Sequence, residues 1–290
     1  MSGRSAGPGR LRPQVGYGLV EVSVVLLLTS LLTASAFAVL SSQRRFYAAQ
    51  LQIAATRDVA RVALTVLSVE LRTASPLAGD LYAIAADSVA LRSYTGFGVV
   101  CRIDGDRIAL RRIAGTFPGA PNDSILVYLG PRVTPWARAA VAGARQASGG
   151  RCPDGGPPDV QLRVAGGVDA AMAGAPVRGF RAYVYRLYRG GDGRWWLGQK
   201  RRGGRLQPLA GPFAAPAVGG LRLEFLDETG RPATDAGATV QVRVSVVAQS
   251  QRRIPVRGGS RFFHSSLSTV VLLRNSCANG ARLEGCPKLR

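Results

Sequence analysis

Gly16-Tyr17-Gly18-Leu19-Val20-Glu21 leads into Val22-Ser-Val-Val-Leu-Leu-Leu-Thr-Ser-Leu-Leu-Thr-Ala-Ser-Ala-Phe-Ala-Val-Leu40, and Glu21 is the one charged residue in the whole stretch. A carboxylate in apolar or lipid surroundings is expensive unless something pairs with it. Its place at the mouth of this run therefore asks for a partner. Val22–Leu40 is long enough to cross a bilayer core, which takes roughly 20 apolar residues. Upstream, residues 1–16 carry Arg4, Arg10 and Arg12 and no acid, and read as a short basic leader. A cleaved secretory signal is the rival reading, because Ala34-Ser35-Ala36 supplies a small-residue cut site. That cut would discard Glu21 and sever a helix-compatible stretch, since Leu19 to Ser75 contains neither Gly nor Pro. Those about 57 residues would reach roughly 85 Å as an α-helix, far beyond an ordinary globular helix.

The second half of the stretch is amphipathic. Leu51, Ala55, Val59, Val62, Val66 and Val69 recur at spacings of four or three, while Arg57, Asp58, Arg61, Glu70 and Arg72 lie largely off that line. This predicts a helix with one buried and one wet face, ended at Ser75-Pro76 because the residue before proline leaves the helical region. After Pro76 the pattern changes to period two. Strands are expected over 89–94, 98–103, 107–113, 123–129, 180–188, 194–200, 221–226, 239–247 and 262–273. Asp104-Gly105-Asp106, Gly190-Gly-Asp-Gly193 and Asp227-Glu-Thr-Gly230 serve as turns, and Tyr183, Tyr185 and one of Trp195 or Trp196 line one hairpin. Residues 142–174, rich in Gly, Ala and Pro, are expected to be loop-like and to mark a soft internal boundary of the domain 76–290. The fold class is α+β: a long N-terminal helix packed on an antiparallel sheet.

The formal net charge is +21, nearly all from arginine, since Lys200 and Lys288 are the only lysines. A basic surface attracts nucleic acid, anionic lipid or acidic glycans, but no compact basic run dominates. The densest cluster, Lys200-Arg201-Arg202-Gly203-Gly204-Arg205, falls in an expected hairpin loop. The four cysteines divide into Cys101 with Cys152 and Cys277 with Cys286. An even count in an exported chain favours disulfides. Free thiols and zinc are the alternatives, with no CxxC pair and His264 as the single histidine arguing against the metal. Catalytic residues are absent from this reading. His264 beside Ser265 and Ser266 lacks nucleophile-elbow glycines, Gly190–Gly193 lacks the phosphate-loop pattern, and Asp104 and Asp106 are not followed by acids at calcium-ligand spacing.

The N-terminal pattern resembles that of type IV prepilins and pseudopilins: a basic leader, a glycine, a glutamate five residues on, and an apolar helix. Gly16 stands where the prepilin peptidase of that family cuts, and Tyr17 would become the N-methylated first residue. Leu19 and Val20 match the Leu-Ile pair, and Glu21 matches the fifth-position acid. Tyr17 departs from the usual Phe and Gly18 from the usual Thr or Ser. Downstream, Tyr185-Arg186-Leu187, Leu223-Glu224-Phe225-Leu226 with Gly230, and Leu273-Arg274-Asn275 resemble, in order, motifs of J-type minor pseudopilins and W-type minor pilins. The resemblance implies a pilin-like lollipop in which 1–16 is a leader, 17–75 a transmembrane and amphipathic helix, and 76–290 a β-rich extracytoplasmic domain. It also implies a non-enzymatic subunit, without cofactor or metal, anchored in the inner membrane and placed at a filament tip. Its partners would be the prepilin peptidase and sibling pilins contacted through the helix, in a type II secretion pseudopilus or a type IV pilus. The alternative is a membrane-tethered module that binds DNA or another anionic ligand through its basic face.

Overall fold

The computed structural model describes residues 18–76, 79–117, 119, 123–130, 136–166, 168, 170–201 and 203–273. The chain divides into two compact units, Met1–Leu51 and Gln52–Arg290. One helix, α1 (Leu19–Thr73), runs through both, with Glu21 in its first turn and Arg72 in its last, each charge opposing the local end of the helix dipole. It ends two residues before the expected Ser75-Pro76 boundary. The Ser75 N–H donates to Asp80 Oδ2 at 3.1 Å, and Asp80 N–H returns to Ser75 O at 3.0 Å. This closes the turn that leads into the sheet.

In the second unit, α1 buries Thr56, Ala60, Ala63, Leu67 and Leu71. The expected face was offset from this one. Val59 and Val66 pack at the edge of the core, while Leu51, Val62 and Val69 are exposed. Counting only bulky apolar residues picked the valines. The helix instead approaches the sheet along a line of small residues, Thr56, Ala60 and Ala63, that lets the backbones come close before Leu67 and Leu71 fill the space beyond.

The strands follow in chain order: β1 (Leu81–Ala85), β2 (Ser88–Asp104), β3 (Arg107–Gly115), β4 (Asp123–Tyr128), β5 (Trp136–Gln146), β6 (Val160–Ala165) and β7 (Pro176–Arg189), then β8 (Trp195–Arg201), β9 (Leu206–Phe213), β10 (Leu221–Leu226), β11 (Gln241–Gln249), β12 (Ile254–Val256), β13 (Gly259–Arg261) and β14 (His264–Leu272). The β12–β13 hairpin stands apart, and the remaining strands form one 12-stranded sheet. Within it, antiparallel pairings run β2–β3–β6–β5–β4–β7 and return from β7 to β2. These six strands therefore close a small barrel. Its interior is packed with Val100, Ile108, Leu110, Ile125, Val127, Val141, Leu162, Val164 and Val177, as expected for a ring too narrow to hold a channel.

The rest of the sheet is built on the other halves of β2 and β7. β1 pairs with β2, β8 with β7, β9 with β8, and β10 and β14 flank β11. The face of this sheet carries Val89, Leu91, Tyr185, Leu187, Leu197, Phe213, Leu223, Val242, Val244 and Val246, and it meets Ala60, Ala63, Leu67 and Leu71 of α1. The hairpin expectations hold here: Tyr183 and Trp195 pack beside the fully buried Tyr185. Trp196 points the other way, and its Nε1–H donates to the Asp192 carboxylate.

Two expectations failed. Strands β5 and β6 lie within or reach into the 142–174 segment expected as loop, and β1, β9, β12 and β13 were not anticipated. β5 is mostly Ala and Gly, residues of low strand preference, yet a narrow ring accommodates small side chains. β9 holds Pro208 and Pro212, which a central strand excludes. It tolerates them because, away from β8, it meets β11 only at the Phe213–Ala248 pair.

Ala63→Leu is expected to destabilise the protein by about 1–3 kcal/mol through overpacking. Val62→Ala, one residue away on the exposed side, should stay within about 0.5 kcal/mol. Urea midpoints of the two variants test the placement of the face.

Candidate functional site

At the N-terminal end, Gly16 and Tyr17 lie outside the described residues. Gly18 begins the described chain and accepts from Val22 N–H at 3.2 Å, so Glu21 projects from the first helical turn. It is exposed, and among the described residues no hydrogen bond or ion pair reaches it. The following side chains, Val22 through Leu40, are exposed as well: Leu27 is 60% and Leu32 71% accessible. Among the described residues α1 is the one helix long and apolar enough to cross a membrane. Most of its hydroxyls are suited to lipid, because Ser23, Ser30, Thr33 and Ser35 each donate to a helix carbonyl three or four residues back, which satisfies the donor within the helix. Directly after Leu40 come Arg44, Arg45, Phe46 and Tyr47, both aromatics 66% exposed. Aromatic and arginine side chains favour the membrane–water boundary. Sequence reading passed over the aromatics beside these arginines.

The second feature is a strap across the barrel. The 147–159 connection between β5 and β6 lies over the outside of β2 and β3, fixed by the Cys101–Cys152 disulfide. Cys101, Cys152 and Ala109 form a small buried cluster under it. The strap is also tied by the Arg111–Asp154 ion pair and by Asp159, which accepts from Arg112 N–H at 2.8 Å and donates its own N–H to Leu110 O at 2.9 Å. The Arg111 guanidinium holds the Asp154 carboxyl below its ordinary range. The expected Cys101–Cys152 pair is thus present, whereas Cys277 and Cys286 lie outside the described residues.

Two buried acids mark where the barrel meets its surroundings. Asp123, on β4, is 2% exposed and bridges Arg201 of β8 at 2.7 Å and Arg181 of β7 at 3.6 Å. It thereby ties the ring to the helix-bearing sheet. Asp80, 3% exposed, follows α1. Burial raises its pKa from the ordinary 3.8, against the opposing pull of the Ser75 amide and of Arg92, Arg138 and Arg178. Burial also pushes the Tyr185 phenol well up; its hydroxyl accepts from Gln199 at 2.6 Å.

The other residues weighed from sequence have local roles. His264 is exposed, 3.3 Å from Gln249 Oε1 across the β11–β14 pair. Asp104 pairs with Arg102 at 3.1 Å, and Asp106 lies 3.9 Å from Arg107, around a two-residue turn in which Gly105 adopts φ 55°. Asp192 caps its turn by accepting from Arg194 N–H at 3.1 Å. Among the described residues no group of three His, Cys, Asp or Glu side chains is placed to hold a metal. In comparisons with protein-family models, curated proteins and solved structures, nothing matches this chain.

The disulfide spans 51 residues, and loop closure of that length corresponds to about 4 kcal/mol, the upper part of the usual 2–4 range. The Cys101→Ser/Cys152→Ser double variant should lose roughly that much in denaturant unfolding, and loss of under about 1 kcal/mol would mean that the other ties alone hold the strap. Asp80 yields a pH signature. Its folded pKa is above the unfolded value of 3.8. Its favourable contribution is therefore complete below that value and disappears as pH rises through the folded one. Asp80→Asn stays neutral throughout, so its stability should improve relative to the parent as pH rises above 3.8 and through the folded value. A pH-independent gap in urea midpoints would refute this.

Proposed function

We propose that this chain is a minor pilin or pseudopilin, with a pilin-like fold, of the J-type or W-type branch. In this reading it is a structural subunit, not an enzyme, and it helps initiate or cap a type II secretion pseudopilus or type IV pilus. The observation that carries the reading is Glu21. It is the lone acid in the long exposed apolar half of α1, has no partner among the described residues, and stands five residues after Gly16. An amine created by cutting after Gly16, at Tyr17 of a neighbouring subunit, would be the counter-charge. In low dielectric such a pair is strong and depends on register, so cleavage would act as the switch for assembly. The α1 span, its hydroxyls turned inward on the helix and its Arg-aromatic boundary support an inner-membrane anchor with residues beyond it outside. The second half of α1 packed on an antiparallel sheet supports the pilin-like domain. The arginine excess favours a second reading, a membrane-tethered module that binds DNA or another polyanion.

Gly16→Ala is expected to leave the leader attached when a prepilin peptidase is co-expressed. Glu21→Ala should be cleaved normally, with mass spectrometry giving an N-methylated Tyr17, but should fail to enter filaments or tip complexes. Incorporation of the Glu21 variant at parental levels would sink the pairing argument, and a first residue near Phe37 would replace the whole reading with a secreted soluble protein.

A further inference from the structure

We infer that the outer wall of the six-stranded barrel carries a binding site for a small dianionic oxyanion, a phosphate or sulfate group, formed by Arg107, Arg145 and Arg163. The inference does not depend on how the N-terminal helix is read. In the β3–β6 register Arg107 stands directly opposite Arg163, and on the other side of β6 Arg163 stands opposite Gly143 of β5. Two pairs further along, Arg145 faces Gln161. Like charges directly opposite on neighbouring strands are destabilising. A fold that keeps such a pair gains if an anion sits between them.

The surroundings set this trio apart from several other arginines of the barrel. Arg102 pairs with Asp104, Arg111 with Asp154, and Arg181 and Arg201 with Asp123. Arg178 lies over the Trp136 ring at 5.0 Å. Among the described residues Arg163 has no acid partner, and Arg145 donates only to the neutral Gln161 Oε1, at 2.6 Å. Asp106, 3.9 Å from Arg107, is the acid nearest the trio among the ion pairs. Three guanidiniums less one carboxylate leave a local charge of about +2, which matches a dianion better than a single carboxylate.

The same residues line a depression of about 210 Å³, with Gly143 and Ala144 on its floor. That is below the roughly 300–1,000 Å³ of pockets for drug-sized ligands, and suits an ion or one charged group of a larger molecule. A Cβ at Gly143 would meet nothing within 4 Å, so the depression is open space beside it. Guanidinium forks present paired N–H donors in the geometry that oxyanions accept.

The test uses the full chain in neutral detergent micelles at low ionic strength. Thermal unfolding is followed while inorganic phosphate, and in parallel inorganic sulfate, is titrated against chloride of equal ionic strength. The parent should show a saturable rise in Tm with both anions, the larger rise distinguishing phosphate from sulfate as the preferred group. Arg163→Gln should raise the apparent Kd about tenfold or more. Relieved of its like-charged neighbour, it should also unfold at a higher temperature than the parent when no anion is added. Gly143→Glu, which supplies a carboxylate from the chain itself, should likewise raise the anion-free Tm and blunt the response. Arg257→Gln, in the β12–β13 turn, should respond as the parent does. The site is overturned if Arg163→Gln keeps the parental Kd, if Arg257→Gln weakens binding as much, or if Arg163→Gln is the less stable protein without anion.

Discussion

The antiparallel pair of β2 and β7, registered from Ser88–Arg186 to Val99–Pro176, is the constraint on which the second unit depends. One half of each strand belongs to the closed barrel and the other to the sheet that holds α1. Two separate cores could have faced opposite sides of this ribbon. They do not, because the register slips by one residue between Tyr94 and Gly96. Side chains alternate across a strand with period two, so one extra residue moves everything after it to the other face. On β2 the inward positions before the slip are odd (Val89, Leu91) and after it even (Val100), while β7 keeps odd residues, Val177 and Tyr185, inward throughout. Thr95 is the extra residue. Its carbonyl accepts from Thr116 N–H at 2.8 Å, so the bulge is held by the strand on its other side. Beyond it, Gly98 passes close enough to β3 that a Cβ would come within 2.4 Å of Arg111 O, which marks the corner where the ribbon turns into the barrel.

This division explains what the sequence made readable. The long helix, the hairpins around Gly105 and Gly193, and the alternation in 180–188, 221–226 and 239–247 were legible because each is a local pattern set by periodicity and turn chemistry. Barrel closure was not. It depends on which distant strands pair, β2 with β7 and β4 with β7, and nothing within either segment announces its partner. Two of the missed strands have compositions that context excuses. β5 is Ala-rich because the ring is narrow, and β9 holds prolines because one of its edges is largely free. On α1 the buried face went to the small residues rather than to the valines, a preference visible only once there is a sheet to approach. Of the candidate site, Glu21 and the Cys101–Cys152 pair could be read directly. The arginine trio could not, because Arg107, Arg145 and Arg163 meet only across three strands.

Charge follows a common logic. The chain has 17 acidic residues against 38 basic ones, and several acids are committed to backbone amides. Asp192, Asp227 and Asp235 accept N–H groups in turns, and these contacts, with the Thr229 hydroxyl foremost at Asp227, hold their carboxyls below the ordinary range. Asp123 and Asp80 are buried at the joints between substructures. Glu224 is shared by Arg222 and Arg243 across β10 and β11, an exposed network of modest energetic value. Few carboxylates then remain for the barrel wall, so a local surplus such as that around Arg163 arises where strands bring arginines together.

Glu21 and the Arg107–Arg163 pair are opposite forms of the same imbalance. One is an acid in an apolar helix with no base in reach among the described residues, and the other is a set of bases on a strand wall with too little acid. In a marginally stable fold, charge left uncompensated within the chain is costly in proportion to its desolvation. The two sites differ greatly in that respect. The arginines are exposed, where water and salt screen them, so an anion there would tune stability and occupancy without being required for folding. A carboxylate carried into lipid has no such relief. It must be neutralised by protonation or by a cation supplied from another molecule, and an ammonium group confined to the same depth by its own apolar helix meets that need at only one longitudinal register. In the proposed assembly a single residue at the helix mouth would thus fix the axial position of one subunit against the next, whereas the surrounding valines and leucines, being interchangeable in lipid, would not.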